Sequence, residues 1–469
     1  MFAGIETPRL RGLPDMDECV SYVKHLGKPT SARLIENAVH TGRPVLQPRC
    51  GVGGQKEMLR LLRTLEEQAA PEMLSLTIDS HTRLLRFTEA SRILRSDPSR
   101  LNGYPLVSHG WRRGRELNES VRAPLEVRHG SPDARELFVT AIASGITAFE
   151  GGGVSYNLPY AKDVPLEHSL RAWQEVDRAC GLLARRGVVV ERELFGTLTA
   201  VLMPPSISIA VSLLEALAAA DEGVTCLTVP YPQGGNAVQD VAALRAIAIL
   251  GERHLGGRAT AYPALHQFMG AFPRDPAQAD ALILLGGLVA VWGGAAKVVV
   301  KTNQEAFGIP NVAANVRGLG TTRVAVSGYL GGGFGVPEDA VAEETHWICR
   351  EVEELVEPVL QGGDLLSGIN EAFRAGRLDV PFSASVHAHN VVLPCRDPWG
   401  AIRFADPGRL PFSTETLHRN NRTIERRSPR TGASATDLVG AIQADIEYFS
   451  AGLRQPSRKE GNACSITCW

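Results

Sequence analysis

With 49 Lys and Arg against 51 Asp and Glu in 469 residues, the chain has no bulk charge with which to attract nucleic acid or an anionic membrane. A composition 44% hydrophobic and 21% charged is that of a globular protein, large enough for one big domain with additions or for two to three ordinary ones. Its eight cysteines form no CxxC array, which argues against zinc-knuckle and iron–sulfur sites and for reduced thiols in the cytoplasm.

The opening MFAGIETPRLRG lacks the apolar core of a secretory leader, and residues 1–40 read as a helical N-terminal extension. Short β-rich runs then alternate with longer helical patterns. The expected strands are PVLQP (44–48), LSLTID (74–79), PLEVRH (124–129), ITAFE (146–150), VVVERELF (188–195), VTCLTVPY (224–231), ATAYPAL (259–265) and KVVVK (297–301). Helical patterns cover 56–69, 132–144, 167–187, 208–220, 236–254 and 277–293. The most apolar run, ALILLGGLVAVWGGAAKVVV (281–300), is broken by glycines and ends in charge. It reads as a helix followed by a buried strand, not as a membrane span.

Apolar strands alternating with helices predict parallel pairing. Eight such units in residues 41–334 predict a (β/α)8 TIM barrel, an α/β fold that typically takes about 250 residues. A doubly wound sheet is the alternative, but its GxGxxG fingerprint after a first strand is absent. Residues 335–454 form a C-terminal helical and irregular region: helical over 335–375, Pro-, Arg- and Asn-rich over 376–435, then a closing helix. Residues 455–469, with Cys464 and Cys468, read as a frayed tail.

In such a barrel, chemistry collects where the strands end. There the sequence places Arg49 in QPRCGVGG, Asp79 and Arg83 in TIDSHTR, Arg128 and His129 in VRHGSPD, Glu150 in EGGGVSYNLPYAK, and Lys301 in VVVKTNQE. Three arginines in one small volume repel each other unless anionic groups lie between them. Their planar guanidinium suits a bidentate grip on carboxylate or phosphate. Rim ion pairs with helix acids are the plain alternative for any one of them; for all three together, a dianionic substrate is favoured. Glu150, beside bare glycine backbone, suits an ammonium group or a proton transfer. Lys301 and Glu305 are four apart, which is also the spacing of a helix-start ion pair. A lone His129 reads more readily as structural than as catalytic.

The run EGGGVSYNLPYAK (150–162) itself allows two readings. Glycines permit close backbone approach or positive φ, and tyrosines offer a ring with one hydroxyl, so it is a ligand-facing loop or a tight turn. No HExxH or other compact ligand cluster occurs, so no protein-bound metal is expected. A barrel for a small zwitterionic dicarboxylate is as far as spacing leads.

EGGGVSYNLPYAK, QPRCGVG (47–53), TIDSHTR (77–83), LNGYP (101–105) and RHGSPDAR (128–135) closely resemble the large catalytic subunit of glutamate mutase (methylaspartate mutase, epsilon component). So do ERELFGTLTAVLMPPS (191–206), GGNAVQDVAALR (234–245), HQFMGAFP (266–273), KVVVKTNQEAFGIP (297–310) and DVPFSAS (379–385). The blocks lie in order. The resemblance implies a barrel with adenosylcobalamin over its mouth, the cobalt held by the corrin and not by this chain. It implies radical interconversion of L-glutamate and L-threo-3-methylaspartate in the cytoplasm. It also implies a small cobalamin-binding partner with a DxHxxG motif, and a homodimer of this chain within a heterotetramer.

By matching motifs, Arg49, Arg83 and Arg128 resemble the grip on the substrate carboxylates, with His129 adjacent and Tyr156 and Tyr160 as further contacts. Glu150 resembles the residue that receives the substrate ammonium group and exchanges a proton with it. Gly51, Asn102, Pro159, Phe272, Lys301, Glu305 and Ile309 match positions near the cofactor, and Lys301 and Glu305 are implied to steer its ribose. Cys50, TVPYPQGGN (228–236) and the cysteine-bearing tail depart from the family wording. Two rival readings stand beside this one: a cobalamin-independent barrel lyase or isomerase with Glu150 as base, and a degenerate subunit that binds its partner without turnover.

Overall fold

Eight short parallel strands follow one another around a ring in the computed structural model, which describes residues 2, 4–196, 202–330, 335–425 and 438–451. They are β1 Val45–Pro48, β2 Leu74–Thr77, β3 Leu125–Arg128, β4 Ala148–Glu150, β5 Glu191–Glu193, β6 Cys226–Pro232, β7 Thr260–His266 and β8 Lys297–Val300. β1 pairs with β8 in the register Val45↔Lys297, and each later strand pairs with its neighbour. Backbone bonds from Met73 N to Leu46 O and from Thr77 N to Cys50 O carry the ring across β1 and β2. All eight expected strands are present, and the doubly wound alternative falls away.

The strands are buried because helices cover the outside while their inward side chains fill the barrel. Side-chain caps start those helices just beyond the strand ends. Asn236 accepts from Gln239 N, Asp275 from Gln278 N and Asn311 from Ala314 N, opening helices Ala237–Leu255, Pro276–Trp292 and Val312–Val326. Asp79 likewise accepts from His81 N and Thr82 N, and so sets the single turn Ser80–Arg83 after β2. Gly51 has a steric reason of its own: a Cβ there would overlap the Thr77 carbonyl at the end of β2.

Two regions differ from expectation. Between β2 and β3 the chain makes further short helices, Phe87–Ser96, Leu106–His109 and Trp111–Glu119. Each is too brief to show a sustained period. The irregular stretch after residue 376 contains an antiparallel hairpin, β9 Leu393–Arg396 and β10 Ile402–Asp406, and helix Thr414–Glu425. The N-terminal extension holds helices Met16–His25 and Ser31–Thr41, and the closing helix is Leu438–Ile446. The expected tail with Cys464 and Cys468 lies outside the described residues, as does part of the ERELFGTLTAVLMPPS block.

Glu344, on helix Glu338–Leu360, fastens the C-terminal region to the barrel. Its carboxylate meets Arg403 of β10 at 2.5 Å, pairs with Arg419 and accepts from Gln239 Nε2 at 3.1 Å. Gln239 in turn bonds the backbone of Ile402 through both ends of its amide. Burial acts to raise the Glu344 carboxyl, but Arg403 and Arg419 outweigh it and hold it down at about 2. A depressed carboxyl contributes stability above its unfolded value of 4.5, and that contribution is lost as pH falls towards 2. Urea midpoints are therefore expected to drop between pH 5 and pH 3, with a shallower drop in Glu344→Gln.

Candidate active site

The interior of this barrel is charged. Alternation along a strand puts residues two apart on one face, so β3 sends Glu126 and Arg128 inward, and β5 sends Glu191 and Glu193. At the lower level Lys297, at the start of β8, meets Glu126 at 3.2 Å, Glu191 at 2.5 Å and Glu193. One level up, Arg128 Nη1 donates to Gln47 at 2.6 Å, Glu126 at 3.0 Å and Glu193 at 3.2 Å. Its Nη2 reaches Glu150 and, at 2.7 Å, Glu193, and lies 3.1 Å from His266 Nε2 without a hydrogen bond, since that nitrogen's hydrogen goes to Glu193. Its Nε has no partner among the described residues. All these side chains are buried, so their charges persist only because they are paired and hydrogen-bonded.

Four acids face two cations here, and the imbalance appears in their proton affinities. Burial, with Glu193 nearby, pushes Glu126 up to about 8. Burial likewise raises Glu150, against the pull of Arg128. Glu193 is held well below the usual range, because Arg128, Lys297 and His266 outweigh its burial. His266 is brought down to about 4, chiefly by burial, so its imidazole is neutral and donates to Glu193 at 2.6 Å. The sets Glu150/Glu193/His266 and Glu126/Glu191/Glu193 are each tight enough to hold an ion, but the Arg128 and Lys297 side chains already stand against them.

Above this column lies the segment 150–162. Glu150 ends β4 and takes the Tyr156 hydroxyl on its second oxygen. Burial and the Glu150 charge raise Tyr156 well above an ordinary phenol, so it stays a donor. The three glycines are buried against protein. Gly151 has φ +118°, and a Cβ there would overlap the Tyr156 ring; one at Gly152 would overlap the Glu215 carboxylate; one at Gly153 would lie 2.9 Å from Leu170 Cα. Of the two readings of this run, the glycines belong to the tight turn. Of its tyrosines, Tyr160 is 39% exposed while Tyr156 is fully buried, with the two rings 5.9 Å apart.

Arg49 and Arg83 stand at the mouth, half-buried, and neither has an ion-pair partner among the described residues. The Arg83 Nη1 atom and the Tyr160 ring both lie over Gly130, at 3.4 and 3.9 Å from where a Cβ would stand. The Arg49 charge acts on Glu150, Tyr160, Lys301 and His266. Lys301 is buried and paired with Glu305 at 2.8 Å, and burial lowers its ammonium against that partner's pull. Strand-end reasoning thus finds two arginines that lack acids among the described residues and one, Arg128, whose two Nη groups are engaged.

His129 sits elsewhere in character. Its Nδ1 accepts from Ser131 N at 3.0 Å, and its ring stacks on Trp173 at 5.7 Å and meets Tyr156 edge-on. Burial, then Arg192, drives it well below its ordinary value, so it is a neutral wall of the site. Among the remaining expected positions, Asn102 is exposed and accepts from Ser80 N, Pro159 is half-buried, and Ile309 is 69% exposed. Phe272 is buried in a cluster with Phe268. The sequence reading passed over Glu126, Glu191, Glu193, His266 and Lys297.

A family profile described as Methylaspartate mutase E chain (MutE) matches residues 28–441. The glutamate mutase epsilon subunit of Desulfitobacterium hafniense (strain Y51) is 41% identical over 432 residues, 89% of this chain and 88% of that protein. That of Haloarcula marismortui is 41% identical over 413 residues, 86% and 84% of the two chains. That of Treponema denticola is 40% identical over 451 residues, 94% and 92% of the two. With matches of this length and identity on an eight-stranded barrel, the chain belongs to the methylaspartate mutase E chain family.

Proposed function

We propose that this chain is the large subunit of an adenosylcobalamin-dependent carbon-skeleton mutase that interconverts L-glutamate and L-threo-3-methylaspartate. The observation that carries the reading is the mouth itself: two arginines, Arg49 and Arg83, without acids among the described residues, above a buried Arg128–Glu150 ion pair. Arg49 and Arg83 offer their guanidinium hydrogens to a substrate carboxylate. The zwitterionic end of the substrate exchanges with the Arg128–Glu150 pair: Glu150 turns to the ammonium group, and the Arg128 donor it releases turns to the carboxylate. Total charge is unchanged, so no buried charge is left alone. Tyr156 steers Glu150 through its hydroxyl, and Tyr160 closes the rim.

The residues at the mouth suit the cofactor. Phe307 and Ile309, 67% and 69% exposed, and Tyr160 form apolar rim elements fit for a broad macrocycle. The Lys301–Glu305 pair offers a donor and an acceptor to a ribose diol. When bound, adenosylcobalamin supplies the hydrogen abstraction that begins the rearrangement. Gly51, Asn102, Pro159 and Phe272 complete the cofactor side of this reading. Cobalamin is to be carried by a small partner subunit with a DxHxxG motif. In this chain Asp79-Ser-His81 has Leu84 where that motif needs glycine, and Asp79 caps a helical turn instead. A heterotetramer built on a dimer of this chain, in the cytoplasm, completes the proposal. Among the described residues, no helix is long and apolar enough to cross a membrane.

The test is Arg83→Met in the assembled complex. A charge-assisted hydrogen bond is worth about 1.5–3 kcal/mol, so KM for glutamate is expected to rise roughly 10- to 100-fold, with cofactor affinity unchanged. An unaltered KM would remove Arg83 from the carboxylate grip.

A further inference from the structure

Glu215 sits in helix Pro205–Asp221, which is buried along most of its length, and the residue is 5% exposed. A buried acid is costly unless hydrogen bonds repay its lost hydration. Its hydrogen bonds go to the backbone of the segment 150–162: Oε1 accepts from Val154 N at 2.7 Å and from Ser155 N at 3.0 Å. The next residue is Tyr156, whose hydroxyl holds Glu150. Gly152 makes the approach possible, since any Cβ there would occupy the place of the carboxylate. The chain of contact therefore runs from Glu215 through two loop amides and the Tyr156 ring to the Glu150 carboxylate.

We propose that Glu215 is a positioning residue for the mutase reaction, setting the backbone that aims Tyr156 at Glu150; this rests on the substrate-loop reading given above. Glu215 Oε2 has no partner among the described residues and faces a small cavity lined also by Trp173, Asp177 and Arg192. Arg192 and Asp177 are paired with each other at 2.7 Å. Helix Leu365–Ala375 brings only Leu366 and Ile369 to that cavity. Burial pushes the Glu215 carboxyl up to about 7, against the two loop N–H groups and Arg192. A glutamine is the shape of the protonated acid and keeps the accepting oxygen. A leucine keeps the bulk and removes the acceptor.

The experiment compares Glu215→Gln and Glu215→Leu in the complex with the cobalamin-binding partner and adenosylcobalamin. Amide hydrogen exchange of residues 152–156 is followed alongside the kinetics. Glu215→Leu is expected to lose protection at Val154 and Ser155, and kcat is expected to fall about 100-fold, the scale of a misplaced catalytic group. Its affinity for adenosylcobalamin stays at the wild-type value. Glu215→Gln is expected to keep both amides protected and to hold kcat within about threefold of wild type, because its acceptor remains. Equal protection of the two amides in wild type and Glu215→Leu would overturn the proposal. So would equal losses of kcat and of thermal midpoint in both variants, which mark a plain packing role. If the wild type turns over no glutamate, the mutase reading fails alone; the exchange arm needs no substrate and still decides whether Glu215 anchors the loop.

Discussion

Glu150→Gln is expected to lower kcat by about 10²–10⁴-fold, the range for loss of a positioned acid or base, with little change in stability. Among the described residues, Glu150 is the one acid that touches both the Arg128 guanidinium and the Tyr156 hydroxyl. Glutamine keeps the volume and one acceptor, so the loop and β4 have no steric reason to move. The fold has reason to tolerate the change. The interior holds Glu126, Glu150, Glu191 and Glu193 against Arg128 and Lys297, and Arg128 retains Glu126 and Glu193 when Glu150 is neutralised. On the proposed function, what disappears is the counter-charge for a substrate ammonium and the group able to exchange its proton. Steady-state assays of the assembled complex check this. Activity within threefold of wild type would take Glu150 out of the chemistry.

Lys297→Met is expected to give the largest loss of stability, about 3–5 kcal/mol, the cost of breaking a buried ion network from one side. Three glutamates, Glu126, Glu191 and Glu193, would then converge on a thioether, with Arg128 as the remaining cation. The loss depends on pH. Glu126 already has its carboxyl raised from 4.5 to about 8. Such a group contributes stability that is full below its unfolded value and lost as pH rises through the folded one. Removing the ammonium raises it further, so the deficit is expected to be larger at pH 8.5 than at pH 6. Urea unfolding at the two pH values measures it. Glu126→Gln in the Lys297→Met background is expected to recover part of the loss; no recovery would mean that charge repulsion is not its origin.

Much of this architecture is legible from residue order alone. Most of the strands lie in short apolar runs between turn residues, and once eight are counted the barrel rule itself nominates Arg49, Arg83, Arg128, Glu150 and Lys301. The charged interior is harder to see, because its members are spread over five strands. One signal does exist: in β5, Glu191 and Glu193 flank Arg192 inside an otherwise apolar run, and charge at alternate positions of a buried strand marks a barrel lumen. The C-terminal hairpin is signalled by Asp397-Pro-Trp-Gly400, where Gly400 takes φ +86° between two short strands. Glu215 has no local signal. Its partners are 60 and 61 residues away, and in a helix of Leu, Ala and Ser it looks like a stray surface acid until the loop is seen against it. The glycines of EGGGVSYNLPYAK announce an unusual backbone, but the atoms that require them (Tyr156, Glu215 and Leu170) come into view only with the fold.

The most direct measurement is proton NMR of L-glutamate incubated anaerobically with this chain, the proposed cobalamin-binding partner and adenosylcobalamin. A 3-methylaspartate methyl doublet is expected, absent when either the partner or the cofactor is omitted. No doublet from a complex shown to be assembled would contradict it, and would return Arg49, Arg83 and Glu150 to a different amino dicarboxylate or to a subunit without turnover.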